Sequence, residues 1–179
     1  AARVEAALLW FMHVSTYKEA YSCKAKAKDC DSAWAYYGAG EDASLATGLA
    51  AYVKAIEPAT HASMFNALLG VRCWRDLDDA ETSMNEELHQ KILGQLDRSL
   101  NRALTILLID RLNTHATAEG DEKAAAWAFL ATLGPVLDRA ARAESENAAD
   151  ELAALWSGDG TDIDSEGAIN TLNSLFPCP

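Results

Sequence analysis

The chain has 179 residues, half of them hydrophobic, with 15 basic against 27 acidic side chains and a formal net charge of -12. That length is enough for one domain with a substantial core, and so acidic a surface repels a phosphate backbone, which argues against nucleic-acid binding. No apolar run approaches the roughly 18 residues of a membrane-spanning helix; the nearest stretch, Ala6 to Met12, is far shorter.

Only four prolines and ten glycines interrupt an alanine-rich sequence. Alanine is the best helix former, so the expected fold is all-α, a multi-helix bundle forming a single domain over residues 1–179. The chain opens on Ala, which is read as a processed or excised form with any signal peptide already gone.

In chain order, a first helix is expected from Ala2 to Ser22. Its middle, LLWFMHV, is apolar on all sides, as in a helix surrounded by others. His13, Tyr17 and Tyr21 follow one another at four-residue steps and form a polar-tipped ridge, with Glu19 near the helix end. A lysine-rich loop between Cys23 and Cys30 comes next. Asp31 or Ser32 then caps a short helix, DSAWAYYGAG, ending at Gly38 or Gly40. Further helices are expected over Ala43 to Ile56 and from His61, capped by Thr60, to about Asp76.

The longest helix is expected from Asp79 to His115, about ten turns without a proline. Glu86, His89, Leu93, Leu96, Leu100, Ala103, Leu107 and Asp110 share one face, and Leu88, Ile92, Leu104 and Leu108 widen it. Glu87, Lys91, Arg98 and Arg102 take the opposite, wet face. Glu86, His89 and Asp110 are thus expected to point at the core. A turn at Ala116 to Gly120 precedes a helix from Glu122 to Leu133, which Gly134-Pro135 breaks or kinks. A helix over Glu144 to Trp156 and a short one over Gly167 to Leu175 finish the chain. Between them, SGDGTDIDSEG lacks the spacing and final glutamate of a calcium loop and reads as a capped turn.

Four cysteines, Cys23, Cys30, Cys73 and Cys178, allow three pairings or four free thiols. Cys23 and Cys30 bracket a loop suited to a staple. Cys178, in the terminal PCP, is expected to tie the tail to Cys73. Two such disulfides imply an oxidising compartment.

Glu86 and His89 form an E-x-x-H pair on adjacent turns. Di-iron bundles need two such motifs, so one alone is compatible with a mononuclear site. The alternative is that Glu86 pairs with an arginine while His89 is a satisfied core histidine. His13 and Tyr17 offer an imidazole and a phenol from the first helix, and Glu19, His61 and Tyr37 are further partners of suitable chemistry. Glu57 and His61 read as a helix-start arrangement, and His115 as structural. Hydrolase, P-loop and zinc-protease motifs are absent from the sequence, so no catalytic step is expected.

The segments YKEAYSC, AWAYYGAG (Ala33 to Gly40) and FNALLGVRCWRDLD (Phe65 to Asp78) carry a resemblance to a known family. They resemble the low-iron-inducible periplasmic proteins of green algae, the Fea-type iron-assimilation family, some of which are high-CO2-inducible extracellular proteins. The similarity runs from about Tyr17 to Asp78, with Cys73 to Asp76 its most specific part, and extends loosely into the long helix. The resemblance implies a secreted or periplasmic protein that binds iron at the cell surface and helps deliver it to an uptake system; ferric iron is expected over ferrous. It assigns no ligands. The expected metal set therefore rests on the residues themselves: Glu86 and His89 with Glu19, His13, Tyr17, His61 or Tyr37. Two other readings stay open, a helical interaction module for a surface partner and a ferroxidase-like enzyme.

Overall fold

The computed structural model describes residues 1–38, 40, 42–76 and 85–179. Among them the protein is all-α, a helical bundle with one disulfide. Its helices are α1 (Ala2–Ser22), α2 (Ala27–Tyr37), α3 (Gly48–Ile56), α4 (Pro58–Arg75), α5 (Glu86–Thr117), α6 (Gly120–Leu133), α7 (Asp138–Glu144), α8 (Glu146–Trp156) and α9 (Ser165–Leu175), with a 3-10 turn at Gly134–Leu137. No helix among the described residues is long and apolar enough to cross a membrane.

Several boundaries differ from the sequence expectation, each for a local reason. Helix α2 starts at Ala27 rather than Asp31 because the Ala and Lys residues before it are good helix formers. It stops at Gly38, whose φ of +90° is left-handed. A Cβ there would also sit 2.2 Å from the Thr47 carbonyl oxygen, so only glycine lets the two segments close on each other. Residues 43–47 stay out of α3 because the Asp42 side chain accepts the Ser44 N–H at 2.7 Å and holds a turn. Thr60 is not the cap of α4. The helix begins at Pro58, which has no N–H to leave unpaired, and Thr60 lies buried inside it, donating to Glu57.

The expected start of the long helix, residues 79–84, falls outside the described residues. At Asn85 the expectation fails: its Oδ1 accepts the Leu88 N–H at 3.0 Å, capping a helix that opens at Glu86.

The described residues form two compact units, to each of which α1 and α5 contribute a segment: residues 11–103 with Pro179, and residues 1–10 with 104–178. In the first, α2, α3 and α4 pack on one another over Tyr37, Leu49, Val53, Met64, Leu68 and Val71. Leu93, Leu96 and Leu100 of α5 are buried in the same unit, as their spacing predicts. Arg102, expected on the wet face, is instead buried and forks onto Glu57, Nε to Oε2 at 3.0 Å and Nη2 to Oε1 at 2.7 Å. Its long apolar stem lets the residue lie inside once a carboxylate meets the guanidinium. Conversely, Glu86 and Asp110 are exposed although their positions fall on the apolar stripe, because a carboxylate is costly to take out of water. Leu88 is exposed as well.

In the second unit, Leu104, Leu108 and Leu112 of α5 are buried, as are Phe129, Leu130, Leu133, Leu152 and Leu172. Arg111 reaches Glu5 of α1 at 3.1 Å and lies over the Phe129 ring. Trp156 packs on Gly134, where an added Cβ would sit 2.4 Å from the indole, so the glycine is needed for space. The tail turn is held by Asp159, which accepts from the Thr161 N–H and hydroxyl, and by Asp164, which caps α9 through the Gly167 N–H.

Helix α1 is not surrounded as its apolar middle suggested: Leu8, Trp10, Phe11 and Val14 are all exposed. Cys23 and Cys30 form the expected disulfide. The second expected bridge is absent, for Cys73 and Cys178 are free and exposed. A disulfide requires Cβ atoms within about 4.5 Å, a spatial condition that loop and terminal positions do not supply.

Candidate functional site

The seven residues singled out from the sequence separate into distinct arrangements. Glu86 and His89 come together in the first turn of α5, His89 Nδ1 lying 3.8 Å from Glu86 Oε1. His89 is 2 % exposed, stacks on Trp74 with ring centroids 4.0 Å apart, and has no hydrogen-bond partner at either ring nitrogen. Burial lowers its pKa, so the ring is neutral with a lone pair to give. Trp74 is itself fixed, donating its indole N–H to the Asn85 carbonyl at 3.1 Å. The residue that caps the helix therefore also sets the ring under which His89 lies.

Glu86 stands at the mouth of this arrangement, its side chain 52 % exposed. It accepts from the Lys24 ammonium and from Gln90 Nε2, the latter at 2.8 Å. Lys24 and then Gln90 hold its carboxyl down to about 2. Lys24 follows Cys23, whose disulfide to Cys30 closes the loop. An anionic carboxylate and a neutral imidazole are the protonation states a metal requires. Their 3.8 Å separation exceeds a hydrogen bond, but a cation with bonds of about 2 Å reaches both from between them.

Tyr37 and His61 also meet, but each occupies the other. The carbonyl of Ala43 can only accept, so His61 Nε2 carries the proton and donates to it at 3.0 Å; Nδ1 then accepts the Tyr37 hydroxyl at 3.0 Å. Both side chains are buried, and burial raises the Tyr37 phenol. The pair reads as a satisfied polar link between α2, α4 and the turn before α3. Glu57, at the start of α4, is spent on Arg102 and Thr60, which agrees with its expected structural role.

Glu19 pairs with its neighbour Lys18 at 3.1 Å. Tyr17 lies against Tyr21, ring centroids 4.4 Å apart. His13 keeps Nδ1 buried and without a hydrogen-bond partner, and burial pushes its pKa down to about 4. His115 is buried, bonds the Gly160 carbonyl at 3.1 Å through Nε2, and faces Trp127, in line with a structural role. Among the described residues no three His, Cys, Asp or Glu side chains converge as a metal-holding group.

Lys24, Trp74 and Asp97 were not among the residues picked from the sequence, yet they shape these arrangements. Asp97, next to Leu96 of the buried stripe, accepts from Tyr21 and keeps its other oxygen buried without a partner. The four-residue ridge of His13, Tyr17 and Tyr21 was the one sequence signal pointing toward it.

Compared with known proteins, the chain matches no family model, no curated protein and no solved structure.

Proposed function

We propose that this chain is an extracellular or periplasmic iron-binding protein that assists iron assimilation, with no catalytic step of its own. The observation that carries the reading is His89, buried with both ring nitrogens unpartnered beside the anionic Glu86. A buried donor or acceptor left unmade costs about 1–3 kcal/mol, and a cation between the two side chains would satisfy both. Glu86 and His89 supply two ligands, an oxygen and a nitrogen of the borderline-to-hard type that iron takes; water completes the shell. The Cys23–Cys30 disulfide supports an oxidising compartment. The resemblance of residues 17–78 to the Fea-type family supports iron as the cargo and a cell-surface uptake system as its recipient.

The test is calorimetry with elemental analysis on demetallated protein titrated with ferric nitrilotriacetate, and with ferrous iron under anaerobic conditions. Loss of one bound equivalent, or an affinity weakened about tenfold or more, is expected for Glu86→Ala/His89→Ala. Unchanged iron affinity in a double variant of native circular dichroism would show that the metal binds elsewhere.

One observation favours a second reading, an interaction module for a surface protein. The tryptophans Trp34 and Trp74 are both buried and offer no such surface. In their place Phe11 and Tyr36 meet edge to face at 5.7 Å while both remain exposed. A chain that binds no iron in either oxidation state would favour this reading.

A further inference from the structure

Apart from Glu86 and His89, α1 and α5 bring a set of oxygen donors to one place. The Tyr21 hydroxyl donates to Asp97 Oδ2 at 2.5 Å, the short end of the range for a hydroxyl on a carboxylate. Tyr17, one turn earlier on the same ridge, lies ring against ring with Tyr21, centroids 4.4 Å apart. The second carboxylate oxygen, Asp97 Oδ1, is buried and accepts from nothing. Arg98, the adjacent cation, is exposed and does not bond that oxygen. A carboxylate oxygen sealed from water with no donor is costly, and the partner its chemistry calls for is a cation.

We propose that Tyr17, Tyr21 and Asp97 form a second metal site, selective for ferric iron, in which two phenolates and one carboxylate hold the ion. Three anionic oxygens match a trivalent charge, whereas softer divalent ions prefer nitrogen and sulfur. On binding, each phenol gives its one proton to solvent and forms an oxygen–iron bond, so that the metal takes the place of the Tyr21 proton that Asp97 Oδ2 now accepts. Free phenols lose that proton only near pH 10. A strongly polarising ion can displace such protons and a weak one cannot, which is the source of the selectivity. Tyr21 is 37 % exposed, so an ion approaches from its side, and the Asp97 carboxylate opens to it once the Tyr21 hydroxyl gives up its proton.

The site shares with the Glu86–His89 reading only the metal, and the two fail separately. The test adds ferric nitrilotriacetate to the demetallated full chain and records visible absorption, because phenolate-to-iron charge transfer colours a site and a carboxylate–imidazole site lacks that band. The wild type should develop the band at one equivalent, and Glu86→Ala/His89→Ala should keep it. Tyr21→Phe and Asp97→Asn should each abolish it or weaken ferric affinity about tenfold or more. Zinc should leave the protein's ultraviolet tyrosine absorption unchanged. Both variants are close to isosteric, and circular dichroism verifies the fold; Tyr17→Phe, at a partly exposed ring, is the third variant and should lower the band. A wild type that stays colourless with ferric iron, or a band untouched by all three substitutions, overturns the proposal. Elemental analysis of Glu86→Ala/His89→Ala judges the other site independently of colour.

Discussion

His13 illustrates how a single buried base sets an acid response. Its ordinary pKa is 6.5 and burial holds it near 4 in the folded protein. Between those values the unfolded chain takes up a proton that the folded chain refuses, so stability is full above 6.5 and falls as the pH drops toward 4. Replacing His13 with Leu should flatten the stability profile in that window, measured by urea unfolding at a series of pH values. Parallel profiles for variant and wild type would sink this assignment. Burial shifts His89 and His115 the same way, so the variant should reduce the acid loss without abolishing it. Glu57 acts in a lower window. The Arg102 hydrogen bonds hold its carboxyl below the usual range, so its contribution is intact at neutral pH and is lost only as acid protonates it in the folded state. At this scale the sequence identified reactive side chains but not their partners. Tyr37 and His61 were both reasonable ligands by type, yet 24 residues of chain fold back to set one on the other.

Among the elements, the loop joining α1 to α2 is the one most constrained by a covalent bond. Cys23 and Cys30 are both buried, seven residues apart, and the bridge fixes Lys24 where it meets Glu86. Closing so short a loop restricts the unfolded chain by about 2.5 kcal/mol. Cys23→Ala/Cys30→Ala should therefore lose about that much stability in denaturant titrations. It should also release Lys24, so that Glu86 titrates closer to an ordinary carboxylate, a change visible by NMR. A variant as stable as the wild type would show that the bridge restrains nothing the packing does not already hold. Element ends were legible wherever a residue has one conformational use. Gly38 terminates α2, and Gly134-Pro135 replaces the helix with a 3-10 turn before α7. They were illegible where a side chain competes with the backbone, as Asp42 and Asn85 do, because periodicity does not register such hydrogen bonds.

For the whole molecule, net charge is the property with a direct physical consequence. An excess of acidic groups giving -12 makes the folded chain repel itself. Raising salt toward physiological strength should raise the melting temperature at neutral pH, since screening acts over about 8 Å. The effect should vanish near the isoelectric point of about 4.6, where little net charge remains to screen. Scanning calorimetry at two salt concentrations decides the matter; a salt-independent melting temperature at neutral pH would mean that the acidic groups are locally compensated.

Composition and spacing by themselves determined that this chain is a helical bundle with α5 as its longest helix. Helix propensity and apolar periodicity act over a few residues and need no distant partner. They also determined the core face at Leu93, Leu96 and Leu100; the Cys23–Cys30 staple was one of several open pairings until the fold closed it. Only the tertiary structure decided which polar groups are spent and which are free. Glu57 is consumed by Arg102 and His61 by Tyr37, whereas His89 and one oxygen of Asp97 are buried without partners. Burial and hydrogen bonding depend on residues far apart in the chain, and a helical period says where a side chain points but not what it meets.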